Sequence, residues 1–122
     1  MEAVLDRQLG LGLSNVQSET LRRVSIAYEP VWAIGDAQHH ATPQQAEDAH
    51  AVLRARFGQI FGKAAADEVS IRYGGSAVPD DAAALLARPG VDGALIGGAS
   101  LIANEFLAIA RSAIVETVVQ SV

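Results

Sequence analysis

The chain has no cysteine, one lysine, one tryptophan and only 5% aromatic residues among its 122 positions. Without cysteine it has no disulfide framework, no thiolate nucleophile and no thiolate metal site. It also lacks a basic patch: nine basic residues face fourteen acidic ones, for a formal net charge of −5. That balance argues against a nucleic-acid partner. No apolar run approaches the roughly 18 residues that cross a bilayer, so no membrane partner is expected. The start, Met1-Glu2-Ala3-Val4-Leu5-Asp6-Arg7, has neither the basic beginning nor the apolar stretch of a signal peptide. No low-complexity tract or charge block divides the sequence, and its length suits one domain over 1–122. Half of the residues are hydrophobic, mostly Ala, Val, Ile and Leu, which predicts a globular chain with an aliphatic core.

A helix is expected over residues 2–9, interrupted by Gly10 and Gly12, followed by a polar loop or a short helical turn capped by Ser14. Val24 to Tyr28 reads as a strand ended by Glu29-Pro30. Residues 31–41 read as a long loop. The next helix has a definite start: Thr42 suits the N-cap, Pro43 the first helical position, and Gln45 the far corner of a capping box. Its apolar stripe runs through Ala46, Ala49, Val52, Leu53, Phe57, Ile60 and Phe61. A second strand is expected over Val69–Tyr73, then a short helix capped by Asp80 and stopped by Pro89-Gly90. A third strand, Gly93–Ile96, and a helix from Ser100 to about Val119 close the pattern. Strands this apolar are usually buried on both faces, which makes the fold class α/β: a helix, then three parallel strand–loop–helix units.

In parallel α/β architectures chemistry collects at the C-terminal ends of strands. These three strands end in Glu29, in Gly74-Gly75-Ser76, and in Gly97-Gly98-Ala99-Ser100. A carboxylate held by a following proline beside Trp32 suits a general base, although a strand-end glutamate also caps helices or faces water. A glycine pair between strand and helix lets N–H groups converge on an anion, and it serves a tight turn equally well. His39 and His40 are adjacent and have no evident third ligand, so they read as solvated loop residues and no metal site is expected.

Ile26-Ala27-Tyr28-Glu29-Pro30-Val31-Trp32-Ala33-Ile34-Gly35 resembles the catalytic signature of the triosephosphate isomerase family. The resemblance continues through Ala41-Thr42-Pro43, Tyr73-Gly74-Gly75-Ser76 and the run from Val91 to Leu101. It implies a partial (β/α)8 TIM barrel, with the equivalents of strands six to eight, from a barrel of about 250 residues. It further implies a cytoplasmic isomerase of glycolysis and gluconeogenesis that interconverts dihydroxyacetone phosphate and glyceraldehyde 3-phosphate without a cofactor. On that pattern Glu29 is the base. Pro30, Val31 and Trp32 form the first hinge of a mobile loop, and Tyr73 helps latch the loop when closed. Gly35, Ser76, Gly97 and Gly98 hold the substrate phosphate, while Arg54 and Asp92 match a structural pair.

The chain also departs from the family. The tip Asp36-Ala37-Gln38-His39-His40 is one residue longer than usual and lacks a second glycine. The family's catalytic lysine and electrophilic histidine come from earlier strands. Lys63, His39, His40 and His50 occupy other positions. The expectation is therefore a truncated isomerase that is inactive as an isolated chain. The alternative is a non-enzymatic module that keeps half of the barrel, binds phosphate or a phosphorylated small molecule, and self-associates. Either way, open sheet edges predict a homo-oligomer, and the β-branched run Ile114–Val119 is expected to join its interface or form a strand.

Overall fold

The computed structural model describes residues 2–30, 41–75, 77 and 79–121. Helix α1 (Glu2–Gly12) leads through a 3-10 helix (Ser18–Arg23) into strand β1 (Ser25–Tyr28). Helices α2 (Pro43–Phe61) and α3 (Lys63–Glu68) precede β2 (Ser70–Tyr73), and α4 (Pro79–Leu86) precedes β3 (Gly93–Ala94). A second 3-10 helix (Gly98–Leu101) and α5 (Ala103–Ser121) follow. The strands form one parallel sheet in the order β1-β2-β3. Among the described residues no helix is long and apolar enough to cross a membrane.

The start of α2 forms as its sequence dictates. Thr42 Oγ1 accepts from Gln45 N–H, the Gln45 side chain takes the Thr42 N–H in return, and Pro43 fills the first turn. The apolar stripe buries Ala46, Ala49, Leu53 and Phe57. At its end Gly62 adopts φ 99°, a conformation open to glycine, and lets the chain turn at once into α3. The missing side chain of Gly58 helps as well: a Cβ there would lie 3.3 Å from that of Ala66.

Register explains the two faces of the sheet. Ile26 stands opposite Ile71 and Tyr28 opposite Tyr73, and these side chains join the core with α2. Ser25 stands opposite Ser70 and Ala27 opposite Arg72, on the other face. Ser25, Ala27 and Arg72 are exposed and Ser70 is half-buried. This corrects the expectation of strands buried on both faces. Ser-Ile-Ala-Tyr and Ser-Ile-Arg-Tyr alternate, so one face packs and the other lies bare, small and polar.

Other boundaries shift for identifiable reasons. Gly10 and Gly12 stay helical, because two glycines near a helix end weaken it without breaking it. Ser14 caps no turn; its hydroxyl donates to the Leu11 carbonyl, and the next helical turn begins at Ser18. Val24 and Val69 fall outside the strands because their N–H groups close helical turns on Leu21 and Ala65. Helix α3 was not expected. Helix α4 starts at Pro79, a natural first helical residue, so Asp80 lies inside the first turn rather than at the cap. Strand β3 stops early: Leu95 N–H still reaches the Tyr73 carbonyl at 2.8 Å, but β2 ends there and Ile96 has no partner strand among the described residues. The last helix begins at Ala103, after the separate turn at 98–101, and it continues through residues 114–119, which excludes a strand there.

Arg54 fastens these pieces together. From α2 its guanidinium donates to the carbonyls of Ala66, Val69 and Gly90, and it meets Asp92 at 2.6 Å. The same Asp92 oxygen accepts the Ile71 N–H at 2.9 Å.

Candidate functional site

The parallel sheet brings the C-terminal ends of the three strands to one edge, with the Gly74-Gly75 end between the other two. Gly74 N–H donates to the Tyr28 carbonyl at 2.7 Å, which extends the β1–β2 ladder one step past the strands. Glu29 follows Tyr28, and its side chain lies across Gly74. A Cβ on Gly74 would sit 2.5 Å from Glu29 Cγ and 3.2 Å from Oε1. Glu29 is exposed, whereas Pro30 behind it is buried. The carboxylate is thus seated on a glycine and open to an incoming molecule. A cavity of about 210 Å3 beside it is bounded by Leu5, Gln8 and Leu9 of α1 and by Leu53 of α2.

Gly75 is required for a related reason. A Cβ there would fall 2.2 Å from Tyr73 Oη, so the phenol occupies the space that a side chain would need. That phenol is buried and accepts the Ala41 N–H at 3.3 Å, which joins the end of β2 to the residue just before α2. Burial raises the Tyr73 pKa, partly offset by the hydrogen bond from Ala41.

At the third strand end Gly97 and Gly98 are exposed and open the second 3-10 helix. Ser100 folds back on the turn, with both its N–H and its hydroxyl on the Gly97 carbonyl. The first N–H groups of such a turn have no acceptor within it and suit an oxyanion. Val31, Trp32, Gly35, the altered tip 36–40 and Ser76 lie outside the described residues.

His50 is the residue whose place sequence reasoning missed. It is fully buried on the core side of α2, its Nδ1 is 3.1 Å from the Gly90 carbonyl, and its Nε2 has no hydrogen-bond partner among the described residues. Its ring meets Tyr28 edge-on at 5.8 Å and lies 6.5 Å from Tyr73, so one imidazole backs both tyrosines at the strand ends. Burial pushes its pKa down, the Gly90 carbonyl and Asp92 pull it back up, and Arg54 adds to the fall. The signal was spacing: positions 46, 50, 53 and 57 form one helical stripe, and His50 is its polar member. Lys63 opens α3 and pairs with Asp67 at 2.9 Å on the surface.

A parallel (β/α) sheet with a carboxylate and two glycine turns along one strand edge is consistent with part of an α/β barrel. The family model described as "Triosephosphate isomerase" matches residues 1–113. Curated triosephosphate isomerases are similar over most of this chain. That of Citrifermentans bemidjiense is 49% identical over 108 residues, 88% of this chain and 43% of its own length. That of Chlorobium phaeobacteroides is 46% identical over 112 residues, 92% of this chain and 44% of its own. That of Xanthomonas campestris pv. campestris is 49% identical over 112 residues, with the same shares. The chain belongs to the triosephosphate isomerase family. It spans less than half of the length of these relatives.

Proposed function

We propose that this chain supplies the proton-transferring carboxylate and the phosphate-gripping backbone of a cytoplasmic triosephosphate isomerase, and that these 122 residues alone do not turn substrate over. By the family's established mechanism, a glutamate moves a proton between the two carbons that become aldehyde and alcohol, through an enediolate. Glu29 has that role here. The observation that carries the reading is its placement: a carboxylate lying over Gly74, at the strand edge that also presents Gly97 and Gly98. Pro30, Val31 and Trp32 are the hinge of the loop in this reading, with Tyr73 as its latch. Gly35, Ser76, Gly97 and Gly98 are the phosphate donors.

Two observations support inactivity in isolation. The enediolate needs a cation or a hydrogen-bond donor at the carbonyl oxygen. Lys63 is already paired with Asp67 on α3, and His50 is sealed in the core. Among the described residues, three strands also leave the sheet open at β1 and β3.

A second reading, a phosphate-binding or self-associating module without catalysis, is favoured by the exposed apolar surface beside β3. Leu101 is 88% exposed, and Leu95, Ile102, Phe106 and Leu107 are also exposed. Both readings include a homo-oligomer that covers this surface and the sheet edges, which light scattering measures as a mass above that of one chain. The test of the site is a titration with 2-phosphoglycolate followed at the backbone amides. Shifts at Gly75, Gly97 and Gly98 that saturate support it; an unchanged spectrum refutes it.

A further inference from the structure

The isomerase reading gives no role to His50, although the chain packs both of its tyrosines against this imidazole. The ring centroid of His50 lies 5.8 Å from that of Tyr28 and 6.5 Å from that of Tyr73, and the two phenol rings are 6.4 Å apart. All three separations fall in the range where aromatic rings attract and orient one another. A further contact comes from the turn ahead of β3. Nδ1 is 3.1 Å from the carbonyl of Gly90, which takes φ 80°, a conformation open to glycine. The ring thus joins α2 to β1, to β2 and to the approach to β3, and it is fully buried among them. These neighbours belong to the packed layer between α2 and the core side of the sheet, away from its exposed face and open edges.

The Gly90 carbonyl can only accept, so Nδ1 carries the hydrogen of the neutral ring and Nε2 is left bare. Nε2 is buried and has no hydrogen-bond partner among the described residues. A proton there puts a charge and an unmatched donor inside the core. The groups that face the ring are Tyr28 from β1 and Tyr73 from β2, both kept neutral by burial. The charges that act on it are Asp92 ahead of β3, which favours the proton, and Arg54 on α2, which opposes it. What the ring supports is the Tyr73 phenol. Its oxygen accepts the Ala41 N–H at 3.3 Å and ties residue 41, just before the cap of α2, to the end of β2. We propose that His50 is a positioning residue of the site: its neutral ring holds the Tyr28–Tyr73 pair so that Tyr73 keeps Ala41 fastened to the strand end, and a proton on the ring releases that tie while the core is still folded. The proposal rests on the isomerase reading only in taking Tyr73 for the latch of the loop.

The experiment measures amide hydrogen exchange of the full chain between pH 7.5 and 5. It uses neither ligand nor turnover, so its outcome is separate from that of the 2-phosphoglycolate titration, which tests the isomerase reading. Protection, corrected for the intrinsic pH dependence of exchange, is followed at Ala41 and at Phe57, a buried residue two turns along α2. The ring protons of His50 and Tyr73 are titrated by NMR over the same range. The expected result is a fall in Ala41 protection of about tenfold relative to Phe57, the worth of one hydrogen bond. It should share its midpoint with the His50 and Tyr73 ring signals. His50→Phe keeps a ring and takes no proton, and the Gly90 carbonyl still has Arg54 Nη2 at 3.5 Å. In that variant the ratio of Ala41 to Phe57 protection should be the same at both ends of the range; a ratio that falls as in the native chain would overturn the proposal. Loss of protection at both amides together in the native chain would reduce His50 to a core residue and overturn it as well. So would protonation of His50 with Tyr73 and Ala41 unmoved, or a ring that takes no proton before the whole chain unfolds. If His50→Phe does not fold, the shared midpoint in the native chain decides.

Discussion

Replacing Arg54 by methionine keeps the apolar stem and removes the fork that joins α2 to the end of α3, to Gly90 and to Asp92. The cost follows from the partners. The contact with Asp92 is an ion pair whose side chains are 21% and 40% exposed, so solvent limits it to about 1 kcal/mol or less. The carbonyls of Ala66 and Val69 are the larger part. Each loses a charge-assisted hydrogen bond worth about 1.5 kcal/mol at the low end. The sum is roughly 3 to 4 kcal/mol, against a total stability of about 5–15 kcal/mol for a domain. At this size that corresponds to a Tm lower by about 10 °C or more. Urea unfolding followed by circular dichroism would measure it. Arg54→Lys should recover little, because an ammonium cannot span two carbonyls and a carboxylate at once. Asp92→Asn should cost only about 1 kcal/mol, since the amide oxygen still accepts the Ile71 N–H. A loss below about 1 kcal/mol in Arg54→Met would refute the reasoning and reduce the clamp to an ordinary surface ion pair.

The two glycines of the central strand end should respond differently to alanine. Gly75→Ala collides with the buried Tyr73 phenol and should cost about 2–3 kcal/mol, with loss of protection at the Ala41 amide in hydrogen exchange. Gly74→Ala meets only the exposed Glu29 side chain, so stability should change by less than about 1 kcal/mol while the carboxylate is displaced. The reverse order of stabilities would contradict the geometry. His50 should make the fold sensitive to acid. Its folded pKa is depressed by burial while the unfolded chain titrates near 6.5, so between these values the unfolded state binds more protons. Stability is therefore full above about pH 6.5 and falls as the pH drops towards the folded value. Urea midpoints at pH 7.5 and 5 measure the fall, and His50→Gln should flatten it; an equal fall in that variant would exclude His50 as the cause.

Features set by one residue and its near neighbours were legible in the sequence. Thr42, Pro43 and Gln45 specify the start of α2 between themselves, and the structure forms that capping box. Glu29-Pro30 marks the end of β1 because proline ends the hydrogen-bonding run. What required the third dimension was less accessible. The six residues of α3 carry too few apolar positions to show a period, and they are helical because Gly62 turns the chain and Ala66 fits against Gly58. The open face of the sheet was visible in the alternation of two short strands, but four residues with two small ones look much like a buried run. His50 lies at a stripe position of α2, but it becomes a core residue only through the tyrosines of two strands that close around it. The contact between Glu29 and Gly74 joins residues 45 positions apart, and no local pattern encodes it.

The most direct test of the account is a coupled assay of triose phosphate isomerisation with the purified chain, alongside Glu29→Gln at the same concentration. No turnover above the Glu29→Gln control is expected, because the proposed function gives this chain the base and the phosphate donors, while Lys63 is paired with Asp67 and His50 is buried in the core. Isomerisation by the native chain that disappears in Glu29→Gln would contradict it.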